Sequence, residues 1–297
     1  MKRFLRNIAL FILPLLILAV VFEFVAEAIP NSYTFKRDYI ERRGAQIQTL
    51  ILGSSNAYDG LNPSVLPHAF NIANSSQTLE DDYRLLAKYI DSMDSLQMVI
   101  VGLGYHSLGA TTEDNRRTYY TIYMDLYPQW PISKYSFEVC NPEMLIKKII
   151  KYSVSRDVTR CDSLGQRVGH TLEAAQSGAE WWNKDVEALV ANDKLDIINH
   201  KLEIANNVSY LHAIVDLCNA HNVQPLIVQM PVMEEYKQKL PAEQVALMDE
   251  VLLSLDSCAI CIDASEWVIP SDGWYNATHL TKEESVEFTN KLYEEIK

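Results

Sequence analysis

The sequence is short of basic residues, and it lacks internal repeats and Gly/Ser-rich linkers. Its 297 residues include 26 lysines and arginines against 39 aspartates and glutamates, a formal net charge of −13 at pH 7. Such an acidic chain repels phosphate backbones, so we do not expect nucleic acid as a partner. Because 48% of its residues are hydrophobic, it is too apolar for a disordered or low-complexity protein. We therefore expect a folded chain with a substantial core.

The first 30 residues differ in kind from the rest. Three cations precede an uncharged apolar run over Ile8–Phe22, and a single acid, Glu23, follows before the run continues. About 19 apolar residues suffice to cross a bilayer, and cations on the N-terminal side leave the remainder outside the cytoplasm. We predict a signal anchor over residues 1–30, with the bulk of the chain in the periplasm or at the cell surface. Ala26-Glu27-Ala28 also fits a cleavage site, so a cleaved signal stays an alternative.

Cysteine is scarce, and its pattern gives no disulfide framework. An exported chain with an odd number of cysteines leaves at least one unpaired. Cys258 and Cys261 have zinc or redox spacing, but no second pair of Cys or His residues is near them in the sequence. We predict structural cysteines there, no metal site and no cofactor. The five cysteines are Cys140, Cys161, Cys218, Cys258 and Cys261.

After residue 31, short apolar runs alternate with segments of helical period. The runs typical of buried strands are Thr49–Leu52, Phe70–Ala73, Met98–Val101, Pro225–Met230 and Cys258–Ile262. The helical segments are Leu79–Asp91, Lys201–Asn222, Leu240–Leu255 and Lys282–Ile296. This alternation predicts a mainly parallel sheet of about five strands with helices on both faces. We predict one three-layer α/β/α domain over residues 31–297.

A segment from about residue 105 to 199 interrupts the alternation and predicts a helical insertion. It is rich in tyrosine and contains three tryptophans, enough apolar area for a small subdomain. Insertions that leave the carboxyl ends of parallel strands overhang the place where such sheets bind ligands. The aromatic side chains could pack the insertion's own core or stack on sugar rings, and the sequence leaves both open.

Two motifs far apart in the sequence carry candidate chemistry. The first strand ends in Gly53-Ser54-Ser55-Asn56, and a serine on such a turn is exposed at the sheet edge, near amides that can face an oxyanion. We expect the following helix after Pro63, and we interpret Tyr58-Asp59-Gly60 as a turn that shapes the pocket. The second motif, Asn276-Ala277-Thr278-His279, precedes a helix whose N-cap is Thr281. An imidazole there can take the proton of a serine at the same edge.

These motifs, with Phe70-Asn71-Ile72-Ala73 between them, resemble the SGNH (GDSL-type) hydrolase superfamily. The closer likeness is to its membrane-anchored, cell-envelope branch, which includes proteins of polysaccharide O-acetylation. The resemblance covers roughly residues 49–101 and 201–297. It implies a flavodoxin-like fold, Ser55 as nucleophile and His279 as base, with Ser54 in place of the usual Asp. It also implies short acyl esters of envelope glycans as substrates.

The chain departs from the family pattern at the triad acid. Where the family has Asp three residues before the histidine, this chain has Asn276. A neutral amide can accept the ring N–H but cannot stabilise the imidazolium. Asp272 or Asp263 could substitute, or the pair could act as a dyad.

The oxyanion residues also differ from the family. The second sequence block of the family supplies an oxyanion-hole glycine, and its place in this chain falls near Ser75 or Ser76, where a backbone amide suffices. The third block of the family, Gly-x-Asn-Asp, is absent. Gly102-Leu103-Gly104-Tyr105-His106 stands in its place, so a side-chain donor would have to be Tyr105 or His106. The candidate oxyanion and substrate-binding residues are therefore Gly53, Ser54, Asn56, Ser76, Tyr105 and His106.

Two functions follow from these observations. The first is an esterase or O-acyltransferase in which Ser55 attacks an acyl carbonyl and His279 moves the proton. The second is a catalytically degenerate relative that binds glycan or envelope partners, suggested by Asn276 and the missing third block. The sequence identifies no protein partner and no oligomeric state.

Overall fold

The computed structural model describes residues 1–112, 114–127, 142–155, 159–177 and 182–297. The chain forms two compact units. The first consists of Met1–Asp38 and Asp114–Arg160, and the second of Tyr39–Glu113 and Cys161–Lys297. The predicted insertion therefore contributes to both units.

The structure contains the five sheet strands that the sequence pattern indicates, together with further helices and a two-stranded hairpin. The helices are α1 Lys2–Glu27, α2 Ser32–Arg43, α3 Ser55–Gly60, α4 Leu79–Tyr89, α5 Asp114–Met124, α6 Pro142–Ser155, α7 Leu172–Ser177, α8 Trp182–Asp193, α9 Lys201–Ala220, α10 Glu234–Lys239, α11 Ala242–Leu255 and α12 Lys282–Glu295. The strands are β1 Thr49–Gly53, β2 Ala69–Asn71, β3 Met98–Leu103, β4 Gln224–Gln229, β5 Ile260–Asp263, β6 Trp274–Asn276 and β7 His279–Leu280.

The apolar N-terminal helix α1 is long enough to cross a bilayer. Its 26 residues span about 39 Å at 1.5 Å per residue and include the uncharged apolar run over Ile8–Phe22. Most of its side chains are exposed, whereas Glu23 and Ala26 near its end are buried. A membrane anchor and a signal sequence both fit these properties.

Several aromatic side chains of the predicted insertion pack within the first unit. The Tyr33 ring stacks on Tyr119 with centroids 5.5 Å apart and meets Tyr120 edge-on at 5.0 Å. Tyr119 in turn stacks on Tyr123 at 5.6 Å. These tyrosines build a core, which is one of the two roles left open by the sequence. Trp130, Tyr135 and Trp181 lie outside the described residues.

The second unit contains the five-stranded sheet in the order β2-β1-β3-β4-β5. Every neighbouring pair is parallel, with Ile51 level with Asn71 on one side and Ile100 on the other. All five residues of β1 are buried, although alternate side chains point to opposite faces. Both faces of the sheet are therefore covered, which confirms the predicted three-layer α/β/α architecture.

The predicted position of the first helix after β1 was wrong. Helix α3 starts at Ser55 itself, so Tyr58-Asp59-Gly60 is helical and not a turn. After Pro63 there is only a short 3-10 turn, Pro63–Val65. The helix can start at once because Ser54 takes the extended conformation of an N-cap residue directly after Gly53.

The cysteines of the described residues are free thiols. Cys161 and Cys218 are buried, while Cys258 and Cys261 are half-buried. Burial raises the pKa of Cys218 to about 12, so it remains a protonated, unreactive thiol. Cys140 lies outside the described residues.

Candidate active site

The turn from β1 into α3 depends on a glycine. Gly53 has a φ of +126°, and a Cβ at this position would lie 2.5 Å from the carbonyl oxygen of Gly102 on β3. Only glycine tolerates both this conformation and this close approach. The chain therefore passes from strand to helix in a single step, which places Ser55 at the start of α3, at the carboxyl edge of the sheet.

His279 is held by a small hairpin formed by β6 and β7. Asn276 and His279 are register partners in this hairpin. The Asn276 Oδ1 accepts the backbone N–H of Thr278 at 3.0 Å, which closes the turn. After His279, the Thr281 hydroxyl accepts the N–H of Glu284 at 3.2 Å and caps helix α12. Both sides of the histidine are thus fixed by local hydrogen bonds.

The two motifs meet in space. The His279 Nε2 lies 2.8 Å from the Ser55 Oγ, which is a hydrogen-bond distance. A second link joins the same segments, because the Asn56 Nδ2 donates to the carbonyl oxygen of Thr278 at 2.6 Å. Residues 224 positions apart in sequence therefore form one site above the sheet edge.

The other ring nitrogen defines the tautomer of His279. Its Nδ1 lies 2.9 Å from the Asn276 Oδ1 and 2.9 Å from the Thr278 Oγ1, and the Thr278 hydroxyl itself donates to the Asn276 Oδ1 at 3.3 Å. Because the Thr278 amide also donates to that atom, the atom is the amide oxygen and acts only as an acceptor. The Nδ1 must then carry the proton, so the Nε2 is free to accept the proton of Ser55. Asn276 can therefore do the orienting part of a triad acid's work.

The electrostatic surroundings keep His279 neutral. Burial lowers its pKa from 6.5 to about 4, against the opposing effect of Asp59. Arg167, His170 and His106 act in the same direction as burial and contribute to this lowered pKa. At neutral pH the ring is consequently unprotonated, the form that a general base requires.

A buried charged group lies one helical turn from Ser55. The Asp59 side chain is 0% exposed, and its Oδ1 lies 3.0 Å from the Arg167 Nε. Its Oδ2 lies 3.2 Å from the His170 Nδ1 and 3.7 Å from the His279 Nε2. The sequence analysis placed Asp59 in a turn and did not predict that it lies beside His279. The spacing of four residues from Ser55 predicts that the two side chains share a helix face, but only for a helix that begins at Ser55.

The same cluster reaches the loop after β2. An Arg167 Nη2 donates to the Ser75 hydroxyl, and the Arg167 guanidinium lies 4.8 Å from the Tyr58 ring centroid. His170 stacks on Tyr275 with ring centroids 3.8 Å apart. Arg167 and His170 fall within the predicted insertion, which therefore supplies side chains to the site.

Three of the remaining candidates, Ser54, Asn56 and His106, lie close together. Ser54 donates to the Asn56 Oδ1 at 3.2 Å. A Cβ at Gly104 would lie 2.7 Å from the His106 ring and 3.0 Å from the Asn56 Oδ1, so the His106 and Asn56 side chains both lie against Gly104. Ser76 adopts a φ of +56° in the loop that follows β2.

Other candidates lie elsewhere. The buried Tyr105 hydroxyl lies near Ser265 and Lys237. The Asp263 Oδ1 accepts the N–H of Ser265 at 2.8 Å. Asp272 lies in the 3-10 turn Ser271–Gly273. Among the described residues, the carboxylate within 4 Å of a His279 nitrogen is that of Asp59.

Comparison with known proteins gives distant structural matches. No family model matches the chain, and no curated protein matches its sequence. A proposed acylhydrolase from Bacteroides fragilis is 9% identical, with a TM-score of 0.42 over 87% of this chain and 93% of that one. A GDSL-like lipase from Bacteroides thetaiotaomicron is 8% identical, with a TM-score of 0.43 over 89% of this chain and 97% of that one. At such identities and scores, the function of the chain has to be argued from its own site.

Proposed function

We propose that this protein is a serine esterase or O-acyltransferase that acts on short acyl esters of cell-envelope glycans. The observation that carries the proposal is the 2.8 Å contact between the Ser55 Oγ and the His279 Nε2, with Asn276 accepting the opposite ring N–H. A hydroxyl, a neutral imidazole and an acceptor in line form the arrangement used for nucleophilic acyl transfer.

The reaction follows from this geometry. His279 accepts the Ser55 proton while the Ser55 oxygen attacks the acyl carbonyl, which forms a tetrahedral oxyanion. The intermediate collapses, the His279 proton passes to the leaving alcohol, and the acyl group stays on Ser55. Water then attacks in a hydrolase, or a sugar hydroxyl in a transferase, with His279 again taking the proton and returning it to Ser55.

The backbone around Ser55 supports an oxyanion site. The Ser55 amide is the first of α3, so it has no acceptor within that helix. The loop that contains Ser76 is tied to the end of β1, since the Asn74 N–H donates to the Gly53 oxygen at 3.3 Å. We assign the amides of Ser55 and Ser76 to the oxyanion, and each such donor is typically worth about 3 kcal/mol. His106 is the candidate side-chain donor.

The substrate class rests on the family resemblance and on the apolar helix α1. Glycan-modifying enzymes of the cell envelope work outside the cytoplasm, and an uncleaved α1 would anchor the chain in the membrane there. An aromatic pair also lies beside the catalytic pair: His170 stacks on Tyr275, and its ring centroid is 6.2 Å from that of His279.

A second function, glycan or partner binding without turnover, is favoured by one observation. Position 276 holds a neutral amide where a triad has a carboxylate, and loss of that carboxylate from a protease triad costs about 10⁴ in turnover. A site that has lost its catalytic power can keep its binding surface.

Hydrolysis of a chromogenic acetyl ester by the full chain in detergent tests the two functions. We expect activity in the wild type and none in Ser55→Ala or His279→Ala. Matched controls are Ser64→Ala and His200→Ala, since the side chains of these residues form local hydrogen bonds, with Asn62 and Asp196 respectively. Equal inertness of wild type and variants, with retained binding to acetylated glycan, would establish the second function instead.

A further inference from the structure

The site separates two tasks that one residue performs in a catalytic triad. Asn276 orients the His279 ring through the 2.9 Å contact with Nδ1, but its amide carries no charge. When His279 accepts the Ser55 proton it becomes a buried cation, and a buried cation without a nearby anion is strongly destabilised. If the proposed acyl transfer occurs, another group must supply that negative charge.

Asp59 has the position and environment to do so. It lies on α3 one turn after Ser55, and its carboxylate is fully buried beside the histidine. Neither oxygen has a hydrogen-bond partner of good geometry among the described residues, although Arg167 and His170 stand at ion-pair distance. A buried carboxylate with no hydrogen bond to quench it exerts its charge on whatever is close to it.

We propose that Asp59 is the carboxylate that stabilises the His279 imidazolium during acyl transfer, acting from the Nε2 side of the ring while Asn276 holds the Nδ1 side. This inference rests on the proposed function and deepens it. It makes Asp59 a positioning and charge-stabilising residue and leaves the nucleophile and base unchanged.

The other charged and titratable groups that face the ring act in the opposite direction. Burial is the main influence that lowers the pKa of His279, and Arg167, His170 and His106 lower it further, whereas Asp59 raises it. Arg167 pairs with Asp59 at 3.0 Å and therefore offsets part of its effect. The two oxygens of Asp59 have different neighbours: the Oδ1 faces Arg167, whereas the Oδ2 faces the His279 Nε2 at 3.7 Å. The pairing with Arg167 therefore leaves one carboxylate oxygen toward the ring.

The primary test is Asp59→Asn, which keeps the shape and removes the charge. An opposite charge at this range shifts a pKa by about one to three units, so we expect kcat to fall about tenfold or more. KM should change little, and the acid limb of kcat/KM should move to lower pH. An unchanged kcat and acid limb would overturn the proposal.

Two double variants separate charge from structure. In Asp59→Asn, Arg167 is left as an unopposed cation, so adding Arg167→Met should move the acid limb back toward higher pH. If the ion pair had only a structural role, the acid limb would not move back, because the single variant Asp59→Asn and the double variant both lack the ion pair. Adding Asn276→Asp to Asp59→Asn restores a carboxylate to the ring and should recover kcat by about tenfold or more. Failure of either response would refute the charge role.

Titration of His279 by NMR gives a readout that does not need turnover. The pKa of His279 should be lower in Asp59→Asn than in the wild type, and it should rise again in each double variant. If the wild type lacks esterase activity but these shifts occur, the proposed function fails while the electrostatic coupling stands. If activity is present but the shifts are absent, the Asp59 proposal fails and the esterase stands.

Discussion

Asp82 is a buried acid whose ionisation should govern the stability of the sheet unit. It lies on α4 with its side chain away from water, and its Oδ1 accepts the N–H of Gly53 at 2.9 Å and the Gln77 Nε2 at 2.6 Å. Burial raises its pKa from 3.8 to about 7, although these two hydrogen bonds oppose the shift. The folded protein thus holds a proton on Asp82 at pH values where the unfolded chain has lost it.

The direction and size of the effect follow from linkage. A folded-state pKa above the unfolded value means that stability is lost as the pH rises between the two values, here from about 4 to about 7. The difference of about three units corresponds to about 4 kcal/mol above pH 7. Asp82→Asn removes this cost and keeps the acceptor oxygen for Gly53. Its new amide N–H₂ is buried, and a buried donor that forms no hydrogen bond costs about 1 to 3 kcal/mol. We therefore expect a net gain of about 1 to 3 kcal/mol at pH 8.

Urea unfolding of the full chain in detergent, followed by far-UV circular dichroism, measures this gain. The variant should be more stable than the wild type at pH 8 and no more stable at pH 4, where Asp82 is protonated in the folded state and about half protonated in the unfolded chain, so that little of the cost remains. A control at an exposed acid, Asp94→Asn, should show no such pH-dependent difference. Equal stability of wild type and Asp82→Asn at pH 8, or a gain of the same size at pH 4, would show that the ionisation of buried Asp82 does not lower the stability of the folded protein.

Three further outcomes are expected. Because burial lowers the pKa of His279 to about 4, kcat/KM should be half-maximal near that pH, and a midpoint at the ordinary value of 6.5 would contradict the burial argument. Gly53→Ala should lower the free energy of unfolding by about 2 kcal/mol or more and abolish esterase activity, because its φ of +126° and the 2.5 Å approach to Gly102 exclude a Cβ. Gly169→Ala is the control: Gly169 has a φ of +100° but nothing within 4 Å, so this variant measures the cost of the backbone conformation without the steric clash. If α1 is an uncleaved anchor, the protein should stay in the membrane pellet after an alkaline carbonate wash, and recovery in the supernatant would show a cleaved signal.

The site as a whole differs from a standard triad in where its negative charge lies. Hydrogen bonding and charge are provided to His279 by different residues, Asn276 and Asp59, on opposite edges of the ring. Turnover by the wild type tests whether the chain is an active enzyme, and the pKa of His279 in the variants tests this division. The kinetic and NMR readouts therefore address separate questions on the same set of proteins.

Much of the architecture could be predicted from local patterns in the sequence. Apolar runs such as Met98–Val101 become strands because buried parallel strands need apolar side chains on both faces, and that requirement is visible residue by residue. The helix over Lys282–Glu295 was signalled by its Thr281 cap in the same local way. Even the pairing of Ser55 with His279 was expected, because both follow strands whose ends meet at one sheet edge.

What the sequence determined by itself was the five strands of the sheet, the helices α4, α9, α11 and α12, the apolar α1, and the serine and histidine of the candidate site, since each depends on neighbours along the chain. Only the tertiary structure decided which groups surround the imidazole. The start of α3 at Ser55 could not be predicted from the sequence, because Gly-Ser-Ser also forms ordinary turns. For the same reason the position of Asp59 beside His279 was not predicted. Arg167 and His170 reach Asp59 from more than a hundred positions away, and contacts at that separation leave no local pattern.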